Sequence, residues 1–167
     1  MVKNYETLIL YFDGASRNNP RGPAGCGWIL YGVYGRGHSE VASGSEYLGF
    51  GVSNNQAEYT GLEEGLQYLI DNDIKCNGLY IRGDSELVIK QLDGEYQVRS
   101  SNLISCYDAV VEKLNWIEHN FVVYEHIDRS KNLKADNLAN EAIDNALESD
   151  YSSTAEQAVI GTMVAHW

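Results

Sequence analysis

Residues 7–13, Thr-Leu-Ile-Leu-Tyr-Phe-Asp, are apolar at odd and even positions alike and then stop on a carboxylate. A strand with one wet face alternates apolar with polar residues, whereas a strand apolar on both faces belongs in the middle of a sheet with layers above and below it. That segment restricts the chain to a sheet with helices packed on it. The stretch from Gly14 to Gly25 is a turn-rich loop. Residues 26–33 and about 36–48 then alternate apolar with small or polar residues, broken by Gly32, Gly35 and Gly37, and predict two antiparallel strands in a meander with the first.

Downstream, the period changes. Ser53-Asn54-Asn55-Gln56 has the form of a capping box, and Leu62, Leu66 and Leu69 follow at helical spacing, so a helix is expected to about Asp71. Residues 79–84 read as a short strand, after which Ser85 caps a helix carrying Leu87, Val88 and Leu92. A polar linker, 93–100, precedes an amphipathic helix with Leu103, Tyr107, Val110, Val111 and Leu114. Residues 121–124 make a last strand, and a polar loop from Glu125 to Asn132 leads to a helix with Leu138, Ala139, Ala142, Ile143 and Ala146. This order predicts an α/β fold, a five-stranded mixed sheet of three antiparallel and then parallel strands, flanked by helices. Residues 1–147 form the expected domain; residues 148–167, acidic and then apolar, form a tail to which no role is assigned.

A chain of 167 residues suits one domain burying roughly two-thirds of its unfolded surface. No apolar run approaches the ~18 residues of a membrane span, so a soluble protein without a membrane partner is expected. The first six residues lack the apolar block of a secretory signal, which makes a cytoplasmic site the default. Cys26, Cys76 and Cys106, odd in number and widely spaced, read as reduced core fillers. A net charge of −12 points away from nucleic acid as a bulk property. Charge placement matters more: Arg17 and Arg21 share one short loop, Arg129, Lys131 and Lys134 another, and if the two loops meet the molecule has a basic rim.

Four acids stand where stability alone would not put them. Asp13 closes the apolar strand, Glu58 lies one turn before Leu62 on the inward helical face, Asp84 ends the fourth strand, and Asp136 precedes Ala139 and Ile143 on theirs. In a parallel arrangement Asp84 would sit beside Asp13. Each has a plain structural reading as a turn former, cap neighbour or first-turn acid. All four, however, fall at a strand's carboxyl end or a helix's opening turn, where open α/β sheets keep their ligand crevice. Converging carboxylates repel one another unless cations share them, and oxygen ligands of this type suit Mg²⁺ or Mn²⁺. Two such ions roughly 3.5–4 Å apart can clamp the attacking and leaving oxygens of a phosphodiester hydrolysis.

Four segments resemble the type 1 ribonuclease H family. They are Tyr-Phe-Asp13-Gly-Ala-Ser-Arg-Asn-Asn19-Pro, Ser-Asn54-Asn55-Gln-Ala-Glu58-Tyr, Gly-Asp84-Ser, and His126-Ile-Asp-Arg-Ser-Lys-Asn132-Leu-Lys-Ala-Asp136-Asn-Leu-Ala. The resemblance covers about residues 6–147 and implies the ribonuclease H-like fold. It also implies a monomeric endoribonuclease that cuts the RNA strand of an RNA–DNA hybrid with two Mg²⁺ ions, Mn²⁺ being a substitute, and leaves 5′-phosphate and 3′-hydroxyl ends. Asp13, Glu58, Asp84 and Asp136 would be its catalytic metal ligands, and His126 would match the family's mobile histidine, which assists proton transfer or product release. Asn19, Asn54 and Asn55 match positions that contact the hybrid's minor groove, where the 2′-OH marks RNA. Arg17, Arg99, Arg129 and Asn132 complete the expected substrate contacts.

The chain departs from the family pattern in three places. The first loop, Asn18-Asn19-Pro20-Arg21-Gly22-Pro23, carries an additional residue; Glu86 stands where many members have glutamine; and residues 93–102 hold one cation in place of a basic substrate handle. All three bear on substrate grip and none on the metal ligands. Two other functions fit the same residues: a binding module that kept the fold without catalysis, which would show no Mg²⁺ response, and a nuclease of this fold acting on another duplex.

Overall fold

The computed structural model describes the backbone of residues 3–164 and the side chains of residues 3–153. Strands β1 (Lys3–Ser16), β2 (Pro23–Tyr34) and β3 (Gly37–Phe50) form the antiparallel meander. Helix α1 (Asn54–Asp71) crosses to β4 (Ile74–Gly83), which lies parallel to β1. Helices α2 (Glu86–Leu92) and α3 (Ser101–Trp116) then lead to β5 (Phe121–His126), parallel to β4. A 3-10 turn, Arg129–Lys131, precedes α4 (Leu133–Val164). The sheet order is β3-β2-β1-β4-β5, which puts the doubly apolar strand in the centre.

The two faces of β1 are covered differently. Leu8, Leu10 and Phe12 point with Trp28, Leu30, Leu79 and Ile81 into a core closed by Leu62, Leu66 and Leu69 of α1 and Val110 and Leu114 of α3. α1 starts where the capping box places it: Ser53 Oγ accepts from Gln56 N at 3.2 Å, and Gln56 Oε1 accepts from Ser53 N at 2.9 Å. Ser85 Oγ accepts from Val88 N at 3.3 Å and starts α2 in the same manner. Inside the core the Tyr59 hydroxyl donates to Gln91 Oε1 at 2.7 Å, which satisfies both buried groups and docks α2 on α1. On the opposite face α4 lies over β2 and β1 through Ala135, Ala139 and Ile143, all buried.

Glycine decides how near the helices come. A Cβ on Gly27 would meet Ala135 O at 2.6 Å and Leu138 Cβ at 2.7 Å, so only glycine lets α4 lie this close to β2. On the other face a Cβ on Gly14 would overlap the Glu58 backbone nitrogen and the Ala57 carbonyl carbon. These contacts draw the acid-bearing turns of both helices against the end of β1.

Several expected boundaries moved. β4, expected over 79–84, runs from Ile74 to Gly83, so Asp84 lies just past it. β2 begins at Pro23 and continues through Gly32, which stays in register with Leu8, and the chain turns at Gly35, whose φ is +58°. β1 extends to both sides of residues 7–13 because β2 and β4 pair with its polar ends. α4 continues past residue 147 to Val164, since no glycine or proline between Leu133 and Val159 interrupts it. The three cysteines are free, as expected, and burial pushes the Cys26 thiol up to about 12 and the Cys76 thiol to about 11. Among the described residues no helix is long and apolar enough to cross a membrane.

Gly14→Ala should destabilise the protein by about 1–3 kcal/mol, because backbone has to move to admit the methyl group. Gly37→Ala is the control, its added carbon having only Tyr34 O nearby at 3.9 Å, and should unfold like the parent. Urea midpoints measured on both variants check the contrast.

Candidate active site

The parallel pairing of β1 with β4 matches Tyr11 to Arg82; two residues further on Asp84 has just left β4, while Asp13 does not close its strand as expected, because β2 pairs with it and carries β1 on to Ser16. Glu58, in the second turn of α1, is pressed against that edge by the contact at Gly14. Asp13, Glu58 and Asp84 each offer an oxygen, and the three atoms lie within 4.8 Å of one another. Asp136, from the opening turn of α4, lines the same cleft of about 450 Å³ from the other side of the sheet, outside the tight trio.

The trio is electrostatically costly as it stands. Asp13 and Glu58 are each only 3% exposed, and neither is paired with a cation among the described residues. Burial, with Asp84 adding like charge, pushes the Asp13 carboxyl up to about 7, against the hydrogen bond from Gly14 N at 2.9 Å. Burial first and the neighbouring Asp13 second hold Glu58 well above the usual carboxylate range. Glu58 Oε2 is buried without a hydrogen-bond partner. A lone-pair-rich oxygen left bare among two other carboxylates is a donor set for a hard divalent cation, which would satisfy that oxygen.

The remaining expected residues divide by position. Asn54, Arg17 and Arg129 line the cleft, so the two cationic loops do meet there, as the basic-rim reading anticipated. Asn19 stands at the rim, its Oδ1 accepting from Asn54 N at 3.0 Å, which fastens the first loop to the start of α1. Asn55 is half-buried beside them without lining the cleft. His126 is exposed at the end of β5, its Nε2 3.2 Å from the Asp84 carbonyl oxygen. Arg99 sits exposed in the linker after α2 and lines no part of the cleft. Asn132, expected at the substrate surface, is 1% exposed and donates from Nδ2 to the Phe12 carbonyl at 2.9 Å, so its amide ties the approach to α4 to the residue before Asp13. Arg17 also departs from a free phosphate contact: it pairs with Asp144 at 2.7 Å and donates to Asn140 Oδ1 at 3.3 Å.

Glu86 adds less charge at the site than its position suggested. Lys90 pairs with it at 2.8 Å and holds its carboxyl below the usual value. Lys131 and Lys134 line a neighbouring groove of about 290 Å³ with Tyr11 and Tyr31, so the basic rim continues past the cleft. A larger cleft, about 570 Å³, lies at the opposite end of the sheet beside Asn4, Lys75 and Glu118, and the carboxylate trio is absent from its lining. Asn140, which lines the acidic cleft, was missed in the sequence; its spacing of four from both Asp136 and Asp144 was the available signal.

A family model described as reverse transcriptase-like matches residues 11–142. Ribonuclease HI of Halobacterium salinarum is 41% identical over 136 residues, 81% of this chain and 64% of that protein. The crystal structure of RNase H1 from the same archaeon superposes with a TM-score of 0.72 at 39% identity, covering 83% of this chain and 98% of that one. The chain belongs to the type 1 ribonuclease H family. LC11-RNase H1, solved in complex with RNA/DNA hybrid, gives a TM-score of 0.75 at 34% identity over 84% of this chain and 99% of that one. The N-terminal RNase H domain of Rv2228c from Mycobacterium tuberculosis also gives 0.75, at 30% identity over 87% of this chain and 99% of that one. The chain spans 64% of the length of the halobacterial ribonuclease HI and 40% of the mycobacterial bifunctional protein.

In this member of the family the raised acids set the pH response. An unfolded Asp13 loses its proton near 3.8 and the folded one near 7, so the group's contribution is most favourable below the lower value and is lost as pH climbs to the higher. Without metal, Asp13→Asn should therefore match the parent's Tm near pH 4 and exceed it increasingly up to about pH 7. Mg²⁺ should raise the parent's Tm at neutral pH and the variant's much less. Thermal unfolding across pH, with and without Mg²⁺, measures both.

Proposed function

We propose that the chain is a divalent-metal-dependent endoribonuclease that hydrolyses the RNA strand of RNA–DNA hybrids, leaving 5′-phosphate and 3′-hydroxyl ends. The observation that carries this reading is the oxygen trio of Asp13, Glu58 and Asp84, with Glu58 Oε2 buried and unpartnered, in a cleft that Asp136 enters from the opposite face. Family membership and the hybrid-bound relative support the choice of substrate.

Asp13, Glu58 and Asp84 would hold Mg²⁺ or Mn²⁺, with Asp136 completing the site for a second ion. When bound, the ions supply activation of water and charge stabilisation at the departing 3′ oxygen. Asp13 within β1 and Asp84 directly after β4 stand on adjacent, paired backbones, so the sheet limits the separation between them. His126, held loosely at the Asp84 carbonyl on the exposed side, is placed to take or give a proton at the reacting phosphate through its imidazole. Asn54 and Asn19, tied together at the N-terminus of α1, face the minor groove, with Asn55 alongside; their amides both donate and accept, which a 2′-OH requires. Arg129 meets phosphate from the rim.

Grip on the substrate is expected to be modest. α2 and α3 are joined directly through residues 93–100, where Arg99 is the one cation, and Lys90 is already committed to Glu86. Free cysteines suit a reducing compartment, and we place the protein in the cytoplasm as a monomer. The residues lining the acidic cleft, Asp13 to Asn140, all fall within residues 11–142.

Incubated with labelled hybrid, duplex RNA and duplex DNA, the protein should cut only the RNA of the hybrid, and only with Mg²⁺ or Mn²⁺. Asp84→Asn should abolish cleavage while the circular-dichroism spectrum is unchanged; a fully active Asp84→Asn protein would refute the mechanism. Hybrid binding followed against salt should give a shallow slope, equivalent to about three to five phosphate contacts.

A further inference from the structure

Asp136 is a ligand that the fold places without help from the sheet. Asp13 and Glu58 are fixed by burial, and Asp84 follows directly on β4, but Asp136 is a half-buried side chain on a helix surface, with a broad, two-fold terminal torsion. What holds it is a chain of side chains running back to the loop after β1. Asn140, one turn further along α4, donates from Nδ2 to the Asp136 carbonyl oxygen at 3.0 Å and to its Oδ1 at 3.3 Å. Asn140 Oδ1 accepts from Arg17 Nη2 at 3.3 Å, and that guanidinium is anchored by Asp144 Oδ1 at 2.7 Å.

We infer that Asn140 is a positioning residue for the second metal ion: it sets the orientation of the Asp136 carboxylate, and Arg17 sets the orientation of Asn140. This rests on the metal-dependent reading given above. The amide has only one workable orientation here. Turned over, its N–H groups would face the Arg17 guanidinium and its oxygen the Asp136 carboxylate, two repulsive contacts in place of two attractive ones. With Oδ1 held by the amide, the other carboxylate oxygen is the one left for a cation. A neutral amide suits the task better than a cation would: lysine or arginine at 140 would pin Asp136 equally well but would cancel the negative charge that binds the ion. Arg17, the other cation close by, has its charge directed at Asp144 instead.

The arrangement also links two parts of the substrate site. Arg17 lies four residues after Asp13 in the loop that Asn19 fastens to α1, so a displacement of that loop would be felt at Asp136 through Asn140. Outer partners of this kind commonly change metal affinity about tenfold or more when removed.

Mn²⁺ titrated calorimetrically into the full chain at neutral pH tests the assignment. The parent should show a tight site and a weaker one, and Asp136→Asn should remove the weaker. Asn140→Ala should weaken the same site about tenfold and leave the tight site alone, and Arg17→Ala should act in the same direction to a smaller degree. In the Asp136→Asn background neither substitution should have any further effect, which a general structural role would not produce. If the parent takes up no Mn²⁺, the metal-dependent function and this inference fall together. If the parent binds and folded Asn140→Ala binds identically, or weakens both sites alike, the positioning role alone is overturned. Should Asn140→Ala not fold, Arg17→Ala decides: parent-like binding overturns the role.

Discussion

Asp13 and Glu58 are removed from water between a strand end and a helix, side by side, with no cation of the described residues to neutralise either. Such a pair is unfavourable to folding: burial opposes ionisation of both groups, and Asp13 further opposes ionisation of Glu58. The surrounding structure is arranged so that they cannot separate. Gly14 removes the side chain that would keep α1 away, Tyr59 and Leu62 follow Glu58 into the core, and Asn132 fastens the approach to α4 to the Phe12 carbonyl one residue before Asp13. Stability is supplied elsewhere, by the fully apolar face of β1 against α1, on which α3 packs in turn. A divalent cation is the one partner that turns this unfavourable cluster into a favourable one.

The surface charges work around that centre. Arg17, Lys75, Arg82, Lys90 and Lys113 are each engaged by a carboxylate on the surface, at Asp144, Glu118, Glu125, Glu86 and Glu63. Exposed pairs of this type contribute little to stability. Their larger effect is to fix which cations remain for a polyanion. Arg129, Lys131 and Lys134, on the segment leading into α4, stay available along the cleft and the groove next to it. A protein of net charge −12 thereby keeps a basic margin confined to the edge of an acidic site. The margin is short.

Sequence by itself determined the strand and helix order, because hydrophobic period and capping chemistry are local properties: the doubly apolar residues 7–13 had to be central, and Ser53 with Gln56 had to open a helix. It also brought out Asp13, Glu58, Asp84 and Asp136, since parallel pairing places two strand-end acids together and helical spacing turns the other two inward. Tertiary structure alone decided the rest. The distance between layers depends on what a glycine's missing Cβ would strike, so Gly14 and Gly27 could be recognised only with α1 and α4 in place. Whether Asn132 and Arg17 meet substrate or protein depends on which groups lie across from them, and no pattern within one segment reports that. The contact of Asn140 with both Asp136 and Arg17 joins residues 123 positions apart in the case of Arg17, a separation over which only the folded sheet and the seating of α4 on it carry information.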